Sequence, residues 1–247
     1  FEDNESFIHF RDDFNLIDQR TIRLALARNL IIDEIKNNKK LVNFDLLIMM
    51  DFDDRSIFNV ADNNWHDAVK FLFSNKKIAG VFANQPGTYY DMWALKDRLN
   101  YKEDFFANAL KFATIKMRST DKINNGILFD LEKNYFDKKK ISFPINSKPF
   151  KVLSAYGGLG IYKIKNIKEN KRLFVGDQEV IIKFKDGVEK KILYQMCDLV
   201  NFNEGFNDLN LDLYILPYLI NSKKEEFKIF PQAAFSLIID REKLDIF

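Results

Sequence analysis

The sequence predicts an α/β fold, a sheet covered by helices, and three observations carry that expectation. Residues 44–50 form an apolar run of strand length, the pattern of a strand buried on both faces. Segments with helical periodicity and short apolar strands follow one another along the chain. Of the 247 residues, 47% are hydrophobic and 25 are Phe, which supplies a substantial core. No repeat and no Pro- or Ser-rich linker divides the chain, so residues 1–247 are read as a single domain.

In order, residues 21–37 read as a helix with Leu24, Ala27, Ile31 and Ile35 on one face, broadened by Leu26 and Leu30. The acid-tipped strand follows at 44–50. A helix is expected over 63–73 with Asn63 or Asp62 as cap, then a short strand over 78–83. Residues 85–88 (QPGT) form a turn, 89–95 read as extended, and 102–114 as a helix. Residues 116–147 read as helix plus surface loop, in which Lys138, Lys139 and Lys140 make a solvated charge run. Strands at 150–154 and 159–163 flank the glycine segment 156–160. Residues 180–184 and 188–193, joined by Asp186 and Gly187, read as a hairpin. A strand at 213–216 is expected to stop at Pro217, and 235–239 reads as a late strand.

Composition narrows the function. With 38 basic and 36 acidic residues, the net charge of +2 argues against a protein built to grip nucleic acid. No apolar run approaches the ~20 residues that cross a bilayer, although the Phe- and Lys-rich segments could rest at a membrane surface. Cys197 is the one cysteine, which suits a reducing compartment and a cytoplasmic location. His9 and His66 show no ligand spacing and read as surface or capping residues. The chain begins at Phe1, and its opening FEDNES looks like the end of a strand running into a loop. A preceding strand and helix are therefore expected to be missing.

The segment from Phe44 to Asp54, FDLLIMMDFDD, carries the most chemistry: a strand ends abruptly in Asp51, Asp53 and Asp54. Three carboxylates together need water or a cation, and ligands bind at the carboxyl ends of strands in open α/β sheets. Such hard oxygen ligands, together with substrate phosphates, suit Mg²⁺ or Mn²⁺. A solvated acidic turn is the competing reading of this segment alone. Arg28 and Asn29 form a polar pair within an apolar helix. Arg28 suits a phosphate or carboxylate, or snorkels to a local acid. Gly157 and Gly158 match neither a P-loop nor a dinucleotide fingerprint, and allow close backbone approach to a ligand or a tight turn. Asp198 leads the carboxylates available for acid–base work, with Glu204 next.

Taken in order, Ala27-Arg28-Asn29, the strand ending in Met50 to Asp54, YYDMWALK (89–96), SAYGGLGIY (154–162) and CDLV (197–200) resemble glycosyltransferases of the GT-A fold. The likeness is to capsule-associated mannosyltransferase-like proteins and their bacterial and viral relatives. Together the motifs cover most of the chain. The resemblance implies a mixed GT-A-like sheet flanked by helices, and transfer of a hexosyl group, with mannosyl from GDP-mannose as first guess, from a nucleotide sugar to a glycan or glycolipid acceptor in polysaccharide biosynthesis. It also implies Mn²⁺ or Mg²⁺ held by Asp51, Asp53 and Asp54. Donor binding would fall to Arg28, Asn29, Asp51, Asp53, Gly157 and Gly158, and acceptor binding to Tyr90, Trp93 and Glu204. Asp91 and Asp198 would act in catalysis. The chain departs from the pattern where Asp198 replaces a common Glu, with apolar Leu199 after it, and where Lys96 replaces a common Arg. A nucleotidyltransferase and a non-catalytic GT-A-like domain that binds sugar nucleotide or glycan are the rival classes.

Overall fold

The computed structural model describes residues 20–51, 62–121 and 125–221. Expectations for the N-terminal segment with His9, for Asp53 and Asp54, and for the strand at 235–239 lie outside these residues. The elements run α1 (Arg20–Asn37), a 3-10 turn (Lys39–Asn43), β1 (Leu46–Met50), α2 (Asp62–Ser74), β2 (Ile78–Asn84) and α3 (Phe105–Thr114). Then come α4 (Asn125–Asp130), a π-helical segment (Leu131–Phe136), α5 (Asp137–Lys139), β3 (Phe150–Val152), β4 (Leu159–Lys163) and α6 (Ile164–Glu169). The order closes with β5 (Asp177–Lys183), β6 (Glu189–Gln195), α7 (Asp198–Asp208) and β7 (Asp212–Ile220).

The result is a mixed α/β architecture. A five-stranded sheet has the order β1-β4-β2-β7-β3, and helices flank it. β2 and β7 are parallel, while the other neighbours pair antiparallel. β5 and β6 form a separate hairpin with the predicted turn, closed by Phe184 N–H to the Val188 carbonyl at 2.8 Å. The central strand is β2, buried along its whole length. Tyr162 of β4 packs against Phe202 and Phe206 of α7, with ring centroids 5.9 and 5.8 Å apart. These contacts hold the middle and end of α7 against the sheet. No helix among the described residues is long and apolar enough to cross a membrane.

Several expectations need correction. The acid-tipped strand is not buried on both faces: β1 lies at the sheet edge among the described strands, and Ile48 is 46% exposed. Its apolar run matches a strand with one well-covered neighbour rather than a central one. The inward face of α1 is Thr21, Ala25, Ile32 and Ile35, whereas Ala27, Leu30 and Ile31 point outward. Arg28 completes the i, i+4, i+7 spacing of the inward set, so the polar residue belongs to the buried stripe. Residues 92–94 form a turn that interrupts the expected extended segment 89–95, and the Asp91 carboxylate accepts the Ala94 N–H there at 3.3 Å. α2 begins at Asp62, one residue before the expected start.

Pro217 does not stop the last strand. It falls where the register of β2 against β7 shifts from Phe82–Ile215 to Asn84–Ile220, an irregularity that tolerates a residue without an N–H. Asn84 Nδ2 donates to the Pro217 carbonyl there at 3.0 Å.

Candidate active site

One guanidinium gathers residues that are far apart in the chain. Arg28, on the inward stripe of α1, donates through Nη1 to Asp198 Oδ2 at the first turn of α7. Its Nη2 lies 3.5 Å from Oδ1 of Asp51, which directly follows β1. The Tyr156 and Phe174 rings wall the group, with centroids 5.4 and 5.9 Å from Cζ. The arginine side chain is 12% exposed, Asp198 5% and Asp51 31%, so the knot is dry on one side and reaches solvent at Asp51.

Backbone at the sheet end brings the glycine turn to the same place. Asp51 N–H donates to the Gly158 carbonyl at 3.0 Å, extending the β1–β4 ladder by one step. Gly157 N–H donates to Asp91 Oδ2 at 3.1 Å, and the Gly157 carbonyl accepts from Gln85 Nε2 at 2.9 Å and Asn221 Nδ2 at 2.7 Å. Both glycines have positive φ, 65° and 78°. A Cβ on Gly157 would stand 2.4 Å from the Ala83 carbonyl oxygen, so the turn itself requires glycine there. Tyr89 accepts the Tyr156 N–H at 3.2 Å, which ties the Asp91 turn to the glycine turn.

The electrostatics follow from this crowding. Burial opposes the charge on Arg28, but Asp198 and Asp51 more than offset it and keep the group cationic. Burial pushes the Asp198 carboxyl up and the Arg28 guanidinium draws it back. Burial, then the nearby Asp51 carboxylate, push Asp91 up to about 6, against the Gly157 and Ala94 N–H groups that favour its charged form. Burial and Asp51 likewise raise the Tyr156 phenol. Cys197 is buried beside Asp198 and Asp91, and its thiol is pushed well above the usual range, first by burial.

Arg28, Asp51, Asp91, Gly157, Gly158 and Asp198 thus share one end of the sheet. Other expected site residues are engaged elsewhere. Asn29 clamps the Phe174 backbone in both directions, at 3.0 and 2.9 Å. Glu204 accepts from Lys96 and Arg172, each at 3.0 Å, and Arg172 also forks onto Asp208. Trp93 is partly buried and packs edge-on to Phe106 of α3, 4.9 Å away, while Tyr89 is fully buried in the core. Tyr90 is half-buried, with its N–H directed at Gln85.

Of the expected metal ligands only Asp51 is described, since Asp53 and Asp54 lie outside the described residues. Among the described residues no three His, Cys or carboxylate side chains cluster as a cation site would need. Asp51 is nonetheless a partly exposed carboxylate at a strand end, a donor suited to a hard divalent ion. Phe174, Gln85 and Asn221 shape the site without a sequence signal that marks them. Gln85 alone stood inside a recognisable turn. No protein-family model matches the chain, and no curated protein sequence matches it.

Proposed function

We propose that this chain is a GT-A-like glycosyltransferase that binds a nucleotide sugar at the Arg28 end of its sheet and transfers the hexosyl group, with mannosyl as first candidate, to a glycan or glycolipid acceptor. One observation carries the reading: residues from five separate motifs, Arg28, Asp51, Asp91, Gly157 and Asp198, converge at the carboxyl end of β1, where α/β sheets bind ligands. Asp51, with Asp53 and Asp54 following it in sequence, would hold Mn²⁺ or Mg²⁺. Such an ion stabilises negative charge on a departing nucleoside diphosphate.

The chain's own groups divide the remaining work by burial. Asp198, locked on Arg28 and 5% exposed, acts as a positioning residue that holds the guanidinium on station. Asp91, with its carboxyl near 6, is the better group to receive a proton from an acceptor hydroxyl near neutral pH. A second reading, a GT-A-like domain that binds its sugar ligand without turnover, draws on the ion pairs that occupy Asp198 and Glu204. The deciding experiment is hydrolysis or transfer across a panel of sugar nucleotides with Mn²⁺. Turnover that disappears in Asp51→Asn supports the enzyme. Tight binding with no turnover supports the second reading, and binding of neither kind rejects both.

A further inference from the structure

At the opposite end of the sheet from Arg28, the chain builds a patch that the proposed activity does not use. A cavity of about 240 Å³ is lined by Phe44, Asp45, Phe73, Lys163, Lys165 and Lys168. The two phenylalanines are exposed, at 60% and 50%. Lys163 Nζ donates to the Asn75 carbonyl at 2.9 Å and lies 5.3 Å from the centre of the Phe73 ring. That contact brings the turn carrying Lys76 and Lys77 to the rim. Phe44 caps the 3-10 turn that carries Lys39 and Lys40, adding a second basic edge.

None of Lys39, Lys40, Lys76, Lys77, Lys165 and Lys168 forms an ion pair among the described residues. Elsewhere Lys96, Lys111, Lys116, Lys133, Lys140, Lys151 and Lys191 each meet an acid, whereas Lys70, Lys102, Lys139, Lys148, Lys171 and Lys185 also form no ion pair among the described residues, so it is the clustering of unpaired lysines around two exposed aromatics that marks this patch. We propose that this end of the sheet docks on an anionic lipid bilayer, with Phe44 and Phe73 entering the interface and the surrounding lysines meeting the headgroups. Two exposed aromatics with lysines outnumbering the one lining acid, Asp45, are complementary to such a surface, where each lysine adds attraction and each aromatic adds burial. A nucleic acid fits less well, because the Phe73 ring, which would stack on a base, already faces the Lys163 ammonium. Burial and the nearby Lys165 ammonium push Lys163 down.

The geometry also sets a height. β1 joins Asp45 in the patch to Asp51 in the Arg28 site, six residues on, or about 20 Å at ~3.4 Å per residue. With β1 along the bilayer normal, a docked chain would hold the Arg28 site about 20 Å above the surface. The docking itself does not rest on the glycosyltransferase reading.

Vesicle co-sedimentation of the full chain tests it, using phosphatidylcholine vesicles with and without phosphatidylserine. Binding should require phosphatidylserine and weaken as salt rises from about 0.1 to 0.5 M. Lys165→Gln with Lys168→Gln should lower partitioning about 10- to 30-fold. Phe44→Ser, at an exposed position, should weaken it without unfolding the chain, and Lys138→Gln with Lys140→Gln should leave it unchanged. Equal binding to both vesicles, no binding, or equal loss in the Lys138 and Lys140 control would overturn the proposal. So would binding to RNA or an acidic peptide without binding to vesicles.

Discussion

The two ends of α7 carry ion networks built from the same kinds of group, yet they are physically different objects. At its start, Asp198 and Arg28 are 5% and 12% exposed, walled by Tyr156 and Phe174. At its end, Glu204 and Asp208 meet Arg172 and Lys96 with exposures from 13% to 55%. Removing one partner from a buried pair leaves an uncompensated charge and costs about 3–5 kcal/mol, while an exposed pair contributes about 0–1 kcal/mol. Burial, not the number of charges, separates a network that fixes a site from one that decorates a surface.

Arg28→Met puts the most strain on this comparison. It should lower stability by about 3–5 kcal/mol in urea unfolding, since Asp198 stays buried without its cation. A loss under about 1 kcal/mol would place the two ends of α7 in the same class.

The pH dependence of stability sharpens the first end further. The folded Asp91 carboxyl, near 6, lies above its unfolded value of 3.8. A raised acid favours the folded state when protonated, so stability should rise as pH falls from about 6 toward 4, by at most about 3 kcal/mol for this residue. Asp104, raised to about 6 mainly by burial, contributes with the same sign. Urea midpoints at pH 6.5 and 4.5 should therefore differ less in Asp91→Asn than in the parent chain, and an unchanged difference would remove Asp91 from the account.

Gly157→Ala addresses the turn that brings Asp91 to the site. With φ at 65° and a carbonyl 2.4 Å from the new Cβ, the substitution should cost about 1–3 kcal/mol in thermal or urea unfolding. The smallest effect belongs to the far end of the helix: Glu204→Gln should change stability by no more than about 1 kcal/mol, with a salt dependence that Arg28→Met lacks.

Much of the site was legible in the sequence because its residue types announce themselves. Carboxylates ending a strand, paired glycines and an arginine inside an apolar helix are all locally improbable without a reason. The hairpin around Gly187 was equally plain, because its turn needs φ of 82°. Depth was harder to read. The apolar run of β1 gave no sign that the strand would lie at an edge, and α1 turned a neighbouring face inward because Arg28 is itself buried. The meeting of Asp91 with the glycine turn and the tolerance of Pro217 depend on partners distant in the chain, Gly157 and Asn84, that no local pattern specifies. Asp198 and Glu204 looked alike in sequence for the same reason: the chain encodes charge locally, but burial arises only on packing.

The claim that the Arg28 end of the sheet binds a nucleotide sugar is tested most directly by titration calorimetry with GDP and UDP, each with and without Mn²⁺, on the parent chain and on Asp51→Asn. Asp51 is partly exposed, so its replacement should spare the fold while removing a contact at the strand end. The account predicts saturable, Mn²⁺-enhanced binding of at least one nucleotide to the parent chain, weakened at least about tenfold in the variant. No binding of either nucleotide, or metal-independent binding untouched by Asp51→Asn, would contradict it.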